Sequence, residues 1–182
     1  MAMDLLKVEV GRFSDMVQDL LEISRMDAGV DGQPFESVPI DDLVMHTASA
    51  LGGEVPVTVL PGARGVSVLC DKRRLQRVLA NLLDNAKVHA GGATLVSVDA
   101  RDGWVEIAVA DGGPGVPAAE EERIFERFYR GQTAGRRGWS TGSGLGLALV
   151  AEHVRAHRGT VRVERATDGG AVFIVSLPAP AP

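Results

Sequence analysis

A second cysteine is missing from this chain. Cys70 stands alone, so no intramolecular disulfide and no cysteine metal cluster can form, which fits a reducing compartment. No apolar run approaches the ~18 residues of a membrane span, and the first residues lack a signal peptide's charged start and long apolar centre. The expectation is a cytoplasmic chain or a piece cut from something larger. Positive charge is also short: Lys and Arg number 19 against 24 Asp and Glu, for a formal net charge of −5. No basic face is on offer, so DNA and RNA are set aside as ligands. Internal repeats are lacking, and only the terminal PAPAP is of low complexity, read as a disordered tail over 179–182. What is present, 182 residues at 45% hydrophobic and 24% charged, suits one domain of roughly 100–150 residues plus an appendage.

The boundary is expected at 31–34, where AGVDGQPF gathers Gly, Asp and Pro after a long helical pattern. Upstream, in 1–30, Leu6, Val10, Phe13, Val17 and Leu20 follow 4-3-4-3 spacing, with Met16, Leu21 and Ile23 flanking, along a helix of about 25 residues. One helix cannot bury that stripe alone. It either packs on its own domain or joins a bundle or dimer, and heptad spacing over about three turns favours the second. Downstream, 35–178 alternates helix and strand without a βαβ rhythm, which predicts an α+β fold. Helices are expected from Pro39, over Lys72–His89, and from Glu120 and Leu145. Strands are expected in VPVTVLP, VSVLCD, the pair ATLVSVDA and WVEIAVAD around Arg101–Gly103, and the hairpin GTVRVER with GGAVFIVSL.

Chemistry concentrates in a few stretches. NLLDNAKVHA sets Asn81 and Asn85 four residues apart on one helical face. Such amides either face water or serve as hard, uncharged ligands to a Mg²⁺ shared with phosphate oxygens. Asp111 ends a strand just before the glycine turn DGGPGV, where its carboxylate either caps the turn or accepts from an exocyclic amine. GSGLGLALV superficially matches a dinucleotide fingerprint. Gly142, Gly144 and Gly146 alternate, however, Leu147 replaces the last glycine, and no strand leads into the turn. No G-x-x-x-x-G-K-[ST] run exists either. The remaining readings are a tight turn alone, or a glycine turn opening a helix whose backbone N–H groups and dipole favour phosphate.

Taken in order, N-x-x-x-N, D-x-G-x-G, IFERFYRG, a glycine- and arginine-rich stretch and G-x-G-L-G-L resemble the ATP-binding catalytic domain of sensor histidine kinases. That domain belongs to the GHKL superfamily, with gyrase and a heat-shock chaperone. The resemblance covers roughly Phe35–Leu177, and FSDMVQDLLEISRMDAG is similar to the end of the second helix of the dimerisation and histidine-phosphotransfer bundle. It implies a two-layer α/β sandwich of the Bergerat type, a mixed sheet on about three helices, preceded by one long helix.

The resemblance also implies roles. Asn85 would ligate Mg²⁺, with Asn81 supporting it, and Asp111 would bind the adenine amino group over a turn shaped by Gly113 and Gly115. Phe125 and Phe128 would anchor the near end of a lid, YRGQTAGRRGWST, in which Gly131, Gly135 and Gly138 suit hinging and Arg136 and Arg137 add charge. Arg127 or Arg130 would reach the phosphates, and Gly142, Gly144, Leu145 and Gly146 would form the phosphate turn. The family places a basic residue three positions after the metal Asn and then an aromatic or His. Here Val88 takes the first place and His89 the second, with Lys87 one step early, rotated ~100° around the helix. Hydrolysing members carry a Glu four residues before the metal Asn, where this chain has Asn81. An amide is no general base, so transfer to an external nucleophile is implied.

That nucleophile would be a histidine on the bundle, for onward transfer to a response regulator, in a homodimer whose full-length form is a membrane-anchored sensor with this part in the cytoplasm. The alternatives are a nucleotide-binding module without phosphotransfer and a serine kinase of the anti-sigma-factor type. None of the four histidines lies in the H-E-x-x-x-P setting of the acceptor. His46, His153 and His157 read as ordinary surface or helix-face residues.

Overall fold

In the computed structural model, residues 2–29, 34–51, 53–131, 144–167 and 169–179 are described. Helix α1, Ala2–Asp27, ends where Gly29 turns to φ +66, a left-handed conformation that stops a helix cleanly. Strand β1, Glu36–Pro39, precedes α2, Ile40–Leu51, whose first turn carries Asp41 and Asp42 against the positive helix end. Strands β2, Val57–Val59, and β3, Ser67–Cys70, follow, separated by a 3-10 turn at Pro61–Ala63. Helix α3, Lys72–Ala90, opens on Asp71, whose side chain accepts from Arg73 N and Arg74 N, and closes on left-handed Gly91. Strands β4, Ala93–Arg101, and β5, Trp104–Asp111, form a hairpin over Asp102 and Gly103, both at positive φ. Helix α4, Gly146–Ala156, then leads to β6, Thr160–Arg165, and β7, Ala171–Pro178.

The five-stranded sheet runs β2-β4-β5-β7-β6, parallel only at β2–β4, and β1 pairs with β3 separately. Alternation along β5 turns Val105, Ile107 and Val109 inward, where they join Val96, Val98, Phe173, Val175 and Leu177. Against them pack Val44 of α2, Leu75, Val78, Leu79 and Leu82 of α3, and Val150 and Val154 of α4. This is the expected two-layer sandwich: a mixed sheet on three helices, preceded by one long helix.

Local expectations needed correction. The expected helix from Glu120 is two 3-10 turns, Ala118–Glu120 and Arg123–Phe125. Its apolar residues Ile124 and Phe125 are adjacent rather than three or four apart, so both reach the core only from a tight turn. Strand β1 went unpredicted, since it buries only Val38. His153 and His157 are buried, at 1% and 3% exposure.

The stripe on α1 does not pack on the domain. Leu6, Val10, Phe13, Val17 and Leu20 stay exposed, while Ile23, on one flank of the stripe, is buried against Leu145 and Leu149, with Met16 and Met26 alongside. Linker residues 31–33 and tail residues 180–182 lie outside the described residues; Ala179, expected in the disordered tail, is instead held by its N–H donating to the Gly103 carbonyl at 2.8 Å and packs on the core.

Candidate functional site

Helix α3 is the floor of the site. The i+4 spacing places Arg77, Asn81, Asn85 and His89 in one row along it. Asn81 is half-buried, and its Nδ2 donates to the Gly146 carbonyl at 3.2 Å, bolting the middle of α3 to the start of α4. Asn85, a turn further on, is half-buried and His89 is exposed. Lys87 is exposed and lies two residues from Asn85, a spacing that points it away from the row. The structure does not bring Lys87 to the site.

Where α3 ends, the first glycine turn begins. Asp111 is buried at 6% exposure, and its Oδ1 accepts from Gly113 N at 2.8 Å and Ala171 N at 3.2 Å. The turn-capping role is therefore real and uses a single carboxylate oxygen. Gly113 sits tightly on the end of α3: a Cβ there would stand 3.1 Å from Ala90 Cβ and 3.4 Å from the His89 carbonyl. Gly115, at φ +75, is backed by Gly170, whose carbonyl oxygen a Cβ would approach to 2.9 Å. Gly170 in turn lies so close to the Asp111 carbonyl that no side chain fits there. Sequence reasoning missed Gly170, and its only signal was the GG pair in the β6–β7 connection.

The second glycine turn is described from Gly144 onward. Gly144 adopts φ +72, with Phe128 and Tyr129 backbone 3.1–3.2 Å from where its Cβ would be. Its carbonyl accepts from Phe128 N at 3.0 Å. Phe128 itself has φ +64 and an exposed side chain, so its backbone, not its ring, fastens the chain here. Phe125 does anchor, edge-on to Phe173 with centroids 6.4 Å apart. Leu145, at the N-cap of α4, is fully buried, and its own side chain makes no cap hydrogen bond. Gly142 and lid residues 132–141, with Gly135, Arg136, Arg137 and Gly138, lie outside the described residues.

Arg127 has other partners than expected. Its two Nη atoms each meet an Asp27 carboxylate oxygen at 2.8 Å, and Glu152 lies at 3.5 Å. The pairing holds the Asp27 carboxyl below the usual carboxylate range. Arg130 is exposed, two residues before the stretch that is not described. Among the described residues no cluster of His, Cys, Asp and Glu could cage a metal. Amide oxygens such as those of the row are hard, uncharged donors, of the kind that complete the shell of a cation whose other ligands are phosphate oxygens and water. From Asn81 to Ala90 the floor measures about 14 Å at 1.5 Å per residue. A buried carboxylate stands at one end and a glycine-opened helix terminus at the other.

The family described as "Histidine kinase-, DNA gyrase B-, and HSP90-like ATPase" matches residues 70–181. Among curated proteins, the signal transduction histidine-protein kinase AfsQ2 of Streptomyces coelicolor is 37% identical over 97% of this chain and 32% of its own length. The sensor-like histidine kinase SenX3 of Mycobacterium tuberculosis is 37% identical over 94% of this chain and 43% of its own. The chain thus spans under half of these relatives. Among solved structures, full-length ShkA in complex with AMPPNP superposes with a TM-score of 0.74 at 30% identity, over 94% of this chain and 37% of that one. The ATP binding domain of PrrB from Mycobacterium tuberculosis gives 0.61 at 32% identity, over 82% and 100%.

Proposed function

The chain belongs to the family of histidine kinase-, DNA gyrase B- and HSP90-like ATPases, and on that premise we propose that it binds Mg·ATP along α3 and passes the γ-phosphate to a histidine of a helical phosphotransfer bundle, for onward transfer to a response regulator. The observation that carries this reading is the alignment of Asp111, the Asn81–Asn85 row and the Gly144–Gly146 turn along one helix. Asp111 Oδ2 accepts from the adenine amino group while Oδ1 keeps the turn closed. The first turn of α4 presents backbone N–H groups to the phosphates, with the helix dipole behind them. Asn85 offers its amide oxygen to the metal, and Mg²⁺, when bound, neutralises charge between the phosphates.

Asn81 acts as a strut, fixed by its bond to Gly146, and it cannot deprotonate water as a carboxylate would. The site therefore positions ATP for an outside nucleophile. The exposed stripe on α1 supports a place in that bundle, within a homodimer. No helix among the described residues is long and apolar enough to cross a membrane; the reading includes a membrane-anchored full-length sensor with this part in the cytoplasm, and the relatives' names support its sensor-kinase part alone.

The test supplies a separate bundle fragment with its own histidine, together with labelled Mg·ATP. Acid-labile, base-stable label on the fragment is expected, at low yield because the reaction is bimolecular. Acid-stable label on serine would move the assignment to a serine kinase. Nucleotide binding without any label would leave a binding module.

A further inference from the structure

We infer that the seam between α3 and α4 is a docking groove for the acidic side of α1, and that docking there and nucleotide binding oppose each other. The inference rests on the nucleotide reading above. Helix α1 has two faces. The apolar one points outward, so helix pairing in a bundle does not compete with docking. The other carries Asp19, Glu22, Ile23, Met26 and Asp27, at i, i+3, i+4, i+7 and i+8, which is one continuous side of a helix.

Four of these residues meet groups on α3, α4 or the segment before Phe128, and Met26 packs alongside Ile23. Asp19 Oδ1 accepts from Arg77 Nη2 at 2.6 Å, and Arg77 stands one turn before Asn81 in the α3 row. Glu22 Oε1 lies 3.0 Å from Nε2 of buried His153 on α4. Ile23 packs on Leu145 and Leu149, and Leu145 sits between the glycines of the phosphate turn. Asp27 holds Arg127 with both oxygens, next in sequence to Phe128, whose N–H fastens Gly144.

The electrostatic consequence has a definite sign. Docking sets the carboxylates of α1 beside the seam that leads to the phosphate turn, and it clamps Arg127 between Asp27 and Glu152. A polyphosphate arriving at that turn meets added negative charge and an arginine already neutralised. Freed from Asp27, Arg127 is a cation at the near end of the stretch before Gly144. Whatever docking costs the nucleotide, the nucleotide costs docking by the same factor.

The test uses the whole chain and a non-hydrolysable ATP analogue with Mg²⁺. Asp27→Asn is expected to bind the analogue about 5-fold more tightly at low salt, within the usual range of coupling between sites. In ~1 M salt, where the Debye length falls to about 3 Å, the advantage is expected to vanish. In an Arg127→Ala background the same substitution is expected to gain nothing. The His153 ring resonances should move, on saturation with the analogue, toward those of Glu22→Gln. Equal affinities for the parent and Asp27→Asn, or His153 resonances indifferent to saturating analogue, overturn the linkage alone. A chain that binds no nucleotide in any variant overturns the nucleotide reading and this inference with it.

Discussion

Asp111 commits one carboxylate oxygen to the backbone of Gly113 and Ala171, leaving the other for a ligand. That division makes Asp111→Asn informative, because the amide oxygen can still close the turn while the NH₂ replaces the acceptor. A lost charge-assisted hydrogen bond is worth ~1.5–3 kcal/mol. The preference for ATP over GTP should therefore shrink by about 10- to 100-fold, and an unchanged ratio in calorimetry would confine Asp111 to the turn. Asn85 offers the complementary case. It is half-buried on the row rather than in the core, so Asn85→Ala should abolish Mg²⁺-dependent ATP binding and change the unfolding free energy measured in urea by no more than about 0.5 kcal/mol. Retained Mg·ATP affinity would remove Asn85 from the metal.

At the scale of the element, α4 does more than open on a glycine turn. Its last turns hold His153 and His157. His157 Nδ1 meets the His153 carbonyl at 2.7 Å, and Nε2 accepts from Asp71 N at 3.0 Å, while the ring stacks on Phe35 at 4.9 Å. Both bonds fit a neutral ring protonated on Nδ1. Burial pushes its pKa below the ordinary 6.5, so the folded chain binds fewer protons than the unfolded one between the lowered value and about 6.5. The stabilisation is complete above the unfolded pKa and is lost as pH falls from there through the folded pKa. His157→Phe keeps the stack but leaves Asp71 N without its acceptor. It should cost about 1–3 kcal/mol at pH 8 and flatten the loss of stability below pH 6.5, measured by urea unfolding at a series of pH values. A variant as pH-sensitive as the parent would exclude His157 as the source.

Across the whole molecule, α1 binds its own domain by one side and leaves an apolar stripe on the other. An exposed stripe of this kind supports the proposed reading, in which the helix is shared with a bundle and the reaction partner lies outside the described domain. His89 is the only histidine in the α3 row, and on the proposed reading it would lie on the floor beneath the nucleotide, a placement without a route to in-line attack. Incubated alone with labelled ATP, the chain should carry no acid-labile phosphate. Such label on this chain would show that one of its own four histidines is an acceptor.

The elements were legible from sequence because their signals are local. Hydrophobic period, Asp71 as a cap, the Asp102–Gly103 turn and the i+4 amides of α3 each depend on residues within a few positions. The stretches that make up the candidate site stood out for the same reason, since glycine turns and a row of amides are written within a few consecutive residues. Partner choice was not. Arg127 has the composition of a phosphate ligand, yet Asp27, 100 residues away, takes it, and no spacing rule reports that distance. His153 and His157 read as ordinary histidines because burial is a property of what packs over a residue. The side of α1 that is covered was hidden for a related reason: its acidic side gains an energetic reason to be buried only once Arg77, His153 and Arg127 are assembled opposite it. Local period determined which elements form, and only the folded seam of α3 and α4 decided which charges meet.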